Sequence, residues 1–329
     1  MSGPQIMRRL VRCVLCCVAL HAGAAAAQHA VAITIDDLPR GGDGGPRDLA
    51  TVRELTQRLL TPFREQRIPV IGFVNEGRPV DFGPDGLREV LDVWLDAGAD
   101  LGNHSYSHLN INHVPLADFT ADITRGEPLV RAALAARGRP LKYFRHPFLF
   151  TGPTPEIKAE LQRFLDGRGY TVAPVTIDDD DYEFAALYTR PEFRERVREA
   201  YVPYMESVVA FFEARGVEVV GHEFPQILLI HVSELNADVM PELLAMFRRR
   251  GYDFVSLDVA LEDDAYRLAD AYAGTGGFSW IHRWSKTKGM ASKGEPEAPS
   301  WVRKAYEARW AELRPTTPSC SAGRGYCVL

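Results

Sequence analysis

Short apolar runs alternate along this chain with longer segments in which apolar residues recur every three or four positions. Val31-Ala32-Ile33-Thr34-Ile35 reads as a buried strand running directly into Asp36-Asp37, and residues 38–46, rich in Gly and Pro, as the loop that leaves it. Helical spacing follows over residues 49–63, with Leu55, Leu59 and Leu60 on one side. The unit then repeats. A strand over 68–74 precedes a helix over 86–97, with Leu87, Val90, Leu91, Trp94 and Leu95 at core intervals, and Leu101-Gly102-Asn103-His104-Ser105-Tyr106-Ser107-His108 occupies the next strand end.

Beyond it the pattern predicts a helix over 117–136 interrupted by Pro128, then a strand and exit loop over 143–148 and a helix over 155–165. A strand over 170–177 runs into Asp178-Asp179-Asp180-Asp181, and a long helix covers 192–215. The strand over 226–230 ends at His231, a helix follows over 239–250, and the last strand lies at 254–257. Strand-helix units of this length argue for a parallel sheet or barrel. Their polar candidates fall at strand C-terminal ends, where α/β barrels collect their sites. After residue 264 the rhythm weakens to a Gly and Trp cluster over 274–284, a loop over 287–300 and one closing helix over 305–313. The expected organisation is a leader over 1–27, an α/β domain over 28–264 and an extension over 265–329 packing on it.

The leader changes how the rest is read. Arg8, Arg9 and Arg12 form a basic n-region, residues 10–20 are apolar apart from Arg12, and Ala24-Ala25-Ala26-Ala27 offers small residues for cleavage. The run is short for a membrane span, so export to the periplasm or the medium is expected, with no stable span once the leader is removed. Its loss takes three arginines with it and moves the formal charge from −6 to −9. A mildly acidic surface disfavours nucleic acid as a partner. Cys13, Cys16 and Cys17 leave with the leader, and Cys320 and Cys327 are expected to be bridged in an oxidising compartment, pinning a tail rather than the fold.

His104 and His108, four residues apart, can reach one divalent cation if they lie on a helical turn or a tight loop. A catalytic site needs a third protein ligand and an open position for water. Residues 109–140 offer no obvious third ligand; the best candidate is the carboxylate pair that ends the first strand. His113 reads as a loop histidine, because a fourth ligand would close the site. Trp280 and Trp284, at helical spacing, read as packing before they read as a sugar platform.

Five stretches now stand in order: Thr34-Ile35-Asp36-Asp37, His104-Ser105-Tyr106-Ser107-His108, Arg145-His146-Pro147-Phe148, Asp178-Asp179-Asp180-Asp181-Tyr182 and Leu229-Ile230-His231. In order and spacing they resemble the motifs of the polysaccharide deacetylase family, the NodB-like carbohydrate esterases, over residues 31–261. The resemblance implies a distorted (β/α) barrel. It implies Asp37, His104 and His108 as ligands of a divalent metal, with zinc first and cobalt, nickel or iron also suited to two imidazoles and a carboxylate. Asp36 would be the general base, His231 the general acid, Asp181 its orienting carboxylate, and Arg145 the cation that keeps Asp36 ionised. Phe148 would lend a backbone N–H to the oxyanion, and Tyr182 and Leu229 would wall the acyl pocket. Both aspartates can reach one site only if the chain turns at the strand end, which the loop beginning at Gly41 would permit.

Three departures touch the groove lining: Leu38-Pro39 follows the aspartates where the family commonly has glycine, His146 takes the second position of its motif, and Tyr182 replaces the usual tryptophan. The expected function is metal-dependent removal of an N-acetyl group from an N-acetylated sugar of a glycan or cell-wall polysaccharide. Hydrolysis of a non-peptide C–N bond in a small amide or cyclic imide, a small N-acylated substrate, is the first alternative. A glycan-binding pseudoenzyme is the second, and the complete acid, base and metal set argues against it.

Overall fold

A computed structural model describes residues 29–78 and 80–313; the leader, Cys320 and Cys327 lie outside the described residues. Seven strands are present among them: β1 (Ala30–Leu38), β2 (Val70–Val74), β3 (Asp100–Asn103), β4 (Tyr143–Phe144), β5 (Thr171–Val172), β6 (Gln226–His231) and β7 (Asp253–Phe254). The helices between them are α1 (Leu49–Gln66), α2 (Pro84–Asp96), α3 (Leu116–Arg125), α4 (Pro128–Ala135), α5 (Pro155–Gly167), α6 (Asp181–Tyr188), α7 (Pro191–Val220) and α8 (Glu234–Arg249). After β7 come α9 (Leu257–Ala260), α10 (Trp280–Thr287) and α11 (Ser300–Leu313).

Every strand pair is parallel, in the order β5-β4-β3-β2-β1-β6, with β7 beside the start of β1. Helical crossovers cover such a sheet, so its strands are apolar on both faces: all nine residues of β1 are buried. The chain leaving β5 crosses to the other edge, where Ile177 bridges Leu228 and its carbonyl accepts from Leu229 N–H at 3.1 Å. That crossing curls the sheet into the distorted (β/α) barrel.

Local chemistry sets the helix ends. Asp48 caps α1 by accepting from Thr51 N–H at 3.0 Å, and Ser233 caps α8 by accepting from Asn236 N–H at 3.1 Å. From α1, Val52, Leu55, Leu59, Leu60 and Phe63 are buried, each worth about 1.5–3 kcal/mol of transfer from water for the larger side chains.

Several elements differ from the expected ones. Pro128 starts α4 instead of kinking one long helix, since its missing N–H costs nothing at a first helical turn. Gly126, between α3 and α4, lies so close to the second motif that an added Cβ would stand 2.7 Å from the Ser105 carbonyl carbon. The strand expected over 170–177 keeps only Thr171–Val172 before its crossing, and the last strand stops at Phe254 because Ser256 caps α9. The Gly and Trp cluster becomes α10 in its second half, with Trp280 and Trp284 buried against Tyr266, Phe224 and Arg283 rather than displayed.

Candidate metal and acid–base site

The site starts from an irregularity in β1. Its register with β2 slips between Ile35 and Leu38, and Asp37 adopts a left-handed conformation with φ 69°. In a regular strand Asp36 and Asp37 would point to opposite faces; this bulge brings both carboxylates to one side. The turn therefore lies at Asp37 itself and not at Gly41. His104 Nε2 stands 3.7 Å from Asp36 Oδ2 and 3.8 Å from Asp37 Oδ1, and His108 Nε2 lies 3.6 Å from Asp37 Oδ1.

The histidines come from a tight loop, not a helical turn. Asn103 Oδ1 accepts from Ser105 N–H at 2.7 Å, and Ser105 Oγ accepts from His108 N–H at 3.1 Å, so two short side chains fold the segment back on itself. Ser105 and His108 both have positive φ, 65° and 54°. The end of α3 supports the loop, with Asp122 accepting from Tyr106 and Ser107 N–H groups. His104 Nδ1 donates to the Arg145 carbonyl at 2.9 Å, which leaves Nε2 free for the site.

Asp37, His104 and His108 each offer one ligand atom within 4.8 Å of the others. Asp37 Oδ1, on the histidine side, is buried without a hydrogen-bond partner. Burial holds both imidazoles neutral, His104 well below its ordinary range with help from His108, and His108 at about 4 despite the opposing Asp37 charge. Burial would raise Asp37, but Arg78 and the histidines hold it below the usual carboxylate range. Two neutral imidazoles and an ionised carboxylate are the donor forms a divalent cation takes, so the residues present fit one.

Asp36 is equally buried and differently poised. Burial raises its pKa to about 6, against the pull of Arg145, whose Nη1 lies 3.4 Å from Asp36 Oδ2. Arg145 is itself fully buried, donates to Thr34 Oγ1 at 2.8 Å and lies over the Phe73 ring at 4.6 Å. At the end of β6, burial would lower His231, but Asp181 raises it to about 10, with the Asp37 and Asp36 carboxylates adding to the effect. Asp181 accepts from His231 Nδ1 at 2.6 Å, from His231 N–H at 2.8 Å and from Asn236 Nδ2 at 2.7 Å.

The expected lining residues sit around these groups. Phe148, at φ 55° and 47% exposed, lays its ring 4.3 Å from His108. The loop before α10 presses on it: a Cβ at Gly277 would stand 2.0 Å from the Phe148 carbonyl. Tyr182 is exposed and edge-on to His231 at 6.5 Å, while Leu229 is buried two residues before His231 on the same strand face. His113 is exposed and its backbone N–H bonds Asn110, so it stays a loop residue. The four aspartates are not an exposed turn: Asp179 and Asp181 are buried, Asp180 Oδ2 accepts from Ala298 N–H at 3.0 Å, and burial together with Glu295 pushes Asp178 up to about 7.

Three contributors lay outside the motifs. Arg78 pairs with Asp37 Oδ2, Asn236 ties Asp181 to the His231 carbonyl at 2.8 Å, and Tyr306 on α11 stands 5.6 Å from Tyr182. Only Asn236 carried a sequence signal, as the third residue of a Ser-capped helix start. Arg78 and Tyr306 reach the site through tertiary packing.

Residues 23–162 match the family model described as polysaccharide deacetylase. The match includes Asp36, Asp37, His104, His108 and Arg145 and ends before Asp181 and His231. A search of curated proteins finds no match. Among solved structures, a family 4 carbohydrate esterase pseudoenzyme from Bacillus anthracis is similar at 17% identity, with a TM-score of 0.47 over 72% of this chain and 66% of that one. A polysaccharide deacetylase from Bacillus cereus gives 16%, 0.48, 69% and 91%, and a family 4 carbohydrate esterase from Streptomyces lividans in complex with acetate gives 20%, 0.45, 70% and 95%.

Proposed function

We propose, from the match of residues 23–162 to the polysaccharide deacetylase family model, that the chain is an exported, metal-dependent hydrolase removing the acetyl group from an N-acetylated sugar of a glycan. The observation that carries this reading is the convergence of a neutral-imidazole metal cluster, a buried carboxylate and a carboxylate-held imidazole on one strand-end surface. Asp37, His104 and His108 would hold the cation. When bound, it supplies Lewis acidity that polarises an acetyl carbonyl and acidifies a water.

The chain's own residues supply the proton transfers. Asp36, with a pKa near 6, is ionised at neutral pH yet basic enough to take the proton of the attacking water. Arg145 keeps that carboxylate charged and in place. His231, held protonated through Nδ1 by Asp181, presents Nε2 to the nitrogen of the departing amine and donates its proton as the C–N bond breaks. Phe148 and Tyr182 flank the two sides of this surface, and the half-exposed Phe148 backbone turn is where the oxyanion would be met. The products are acetate and a free amino sugar.

The test is metal content of the purified protein together with acetate release from N-acetylglucosamine oligomers and peptidoglycan. Metal with acetate supports the reading. Metal with no acetate from any glycan moves the substrate to a small amide, and a protein that binds no metal sinks the enzymatic reading.

A further inference from the structure

A row of aromatic rings leads away from His231 onto the C-terminal extension. Tyr182 stands edge-on to His231 at 6.5 Å, Tyr306 lies 5.6 Å from Tyr182, and Trp310 stacks on Tyr306 at 5.9 Å with an interplanar angle of 23°. We propose that Tyr182, Tyr306 and Trp310 form a sugar-stacking platform that holds the neighbouring residues of a glycan chain, so that the protein acts on oligomers in preference to single sugars. This rests on the glycan reading above and specifies the length of its substrate.

The core does not need these rings. Trp94, Trp280 and Trp284 are buried, and Trp301, Val302 and Ala305 pack α11 onto the core. Tyr306 and Trp310 take no part in that packing. They lie four residues apart, one turn above the other on a single stripe of the helix, and both are partly exposed. Tyr182 at the foot of the row is 43% exposed. Three neighbouring large rings, Tyr182 exposed and Tyr306 and Trp310 partly so, beginning at a proposed proton donor, are unlike scattered surface hydrophobics.

The helix that carries two of the rings is held in place. Arg303 binds α11 to Asp180 at 3.5 Å and to Glu297 at 2.9 Å. Arg309 donates to Thr189 Oγ1 at 3.1 Å and to the Asp43 carbonyl at 3.3 Å. The platform is thus fastened both to α6, which carries Asp181 and Tyr182 at its start, and to the loop after β1, which carries the aspartates. A prearranged surface loses little freedom on binding.

A pyranose offers an apolar C–H face and a polar hydroxyl rim. Aromatic side chains match the first. A small amide bound at Asp37 and His231 would reach none of the outer rings.

The full-length protein, Trp310→Ala, Tyr306→Ala and Trp310→Phe would be assayed on N-acetylglucosamine oligomers of one to six residues. Acetate release gives kcat/KM, and isothermal calorimetry gives oligomer binding. We expect kcat/KM to rise with length in the wild type. The hexamer-to-monomer ratio should fall about tenfold in either alanine variant and be retained in Trp310→Phe. A fold defect lowers both lengths alike and leaves that ratio unmoved, so an unmoved ratio in both alanine variants overturns the proposal. Acetate release independent of length overturns the platform and leaves the deacetylase reading standing. Length-dependent binding lost in Trp310→Ala, without acetate release, supports the platform and overturns the deacetylase reading. Neither binding nor release overturns both.

Discussion

Asp36 and His231 are direct partners across β1 and β6, so a carboxylate and an imidazole leave adjacent strand ends side by side. Parallel register aligns the two side chains on one face, and the Asp37 bulge then adds a second carboxylate to that face without displacing the first. The proposed base, acid and one proposed metal ligand thereby come from two neighbouring strands.

The two aspartates should separate in experiment. Asp37→Ala is expected to lose the metal, whereas Asp36→Asn keeps it and loses about 10²–10⁴-fold in kcat. Elemental analysis of both purified variants, alongside acetate release, decides the assignment; a metal-free Asp36→Asn would mean their roles are exchanged.

Arg145 should matter through Asp36. Replacing it with methionine leaves a buried carboxylate without its counter-charge, which pushes the Asp36 pKa above its present value near 6. The acid limb of the kcat/KM profile should move to higher pH, with metal content retained. A profile that drops in height with no shift would assign Arg145 a packing role instead.

Asp181 should set the charge of His231. The His231 pKa near 10 in the folded protein exceeds the ordinary 6.5, so protonation favours folding. That contribution is fully present below pH 6.5 and is lost as pH rises toward 10. In Asp181→Asn the folded pKa should fall, and the loss of Tm between pH 6.5 and 10 should shrink. Thermal melts across that range, with histidine ring NMR on the same samples, check the sign; an unchanged His231 titration would refute it.

Trp284 should behave as core. It is 1% exposed and edge-on to Phe224 at 6.0 Å and Tyr266 at 5.9 Å. Trp284→Ala is expected to cost about 3–5 kcal/mol in urea unfolding. A cost below about 1 kcal/mol would show that the α10 packing is not what stabilises this region.

Metal binding should report on the fold as well. If the cation binds the folded chain and not the unfolded one, supplying zinc at about 100 times its dissociation constant should stabilise by about 2.7 kcal/mol, and a chelator should remove the gain. Calorimetric melts of the wild type show this, and Asp37→Ala should show no such gain.

The sequence by itself determined the strand-helix rhythm, because burial on both faces of a parallel sheet writes continuous apolar runs such as residues 31–35, and crossover helices write a period near 3.6 between them. It also placed Asp36, Asp37, His104, His108, Arg145 and His231 at or just beyond strand ends, since polar residues that interrupt such runs have few other places to go, whereas Asp181 starts a helix instead. Tertiary structure decided what periodicity cannot express. The left-handed Asp37 turns two adjacent carboxylates to one side, and the nested Asn103 and Ser105 hydrogen bonds fold the histidines into a loop. The crossing to Ile177 closes the barrel, and Arg78, Asn236 and the α11 aromatics reach the site across long sequence separations. Local pattern encodes which residues are buried and where strands end; backbone bulges and distant packing partners depend on the assembled neighbours, and those exist only in the fold.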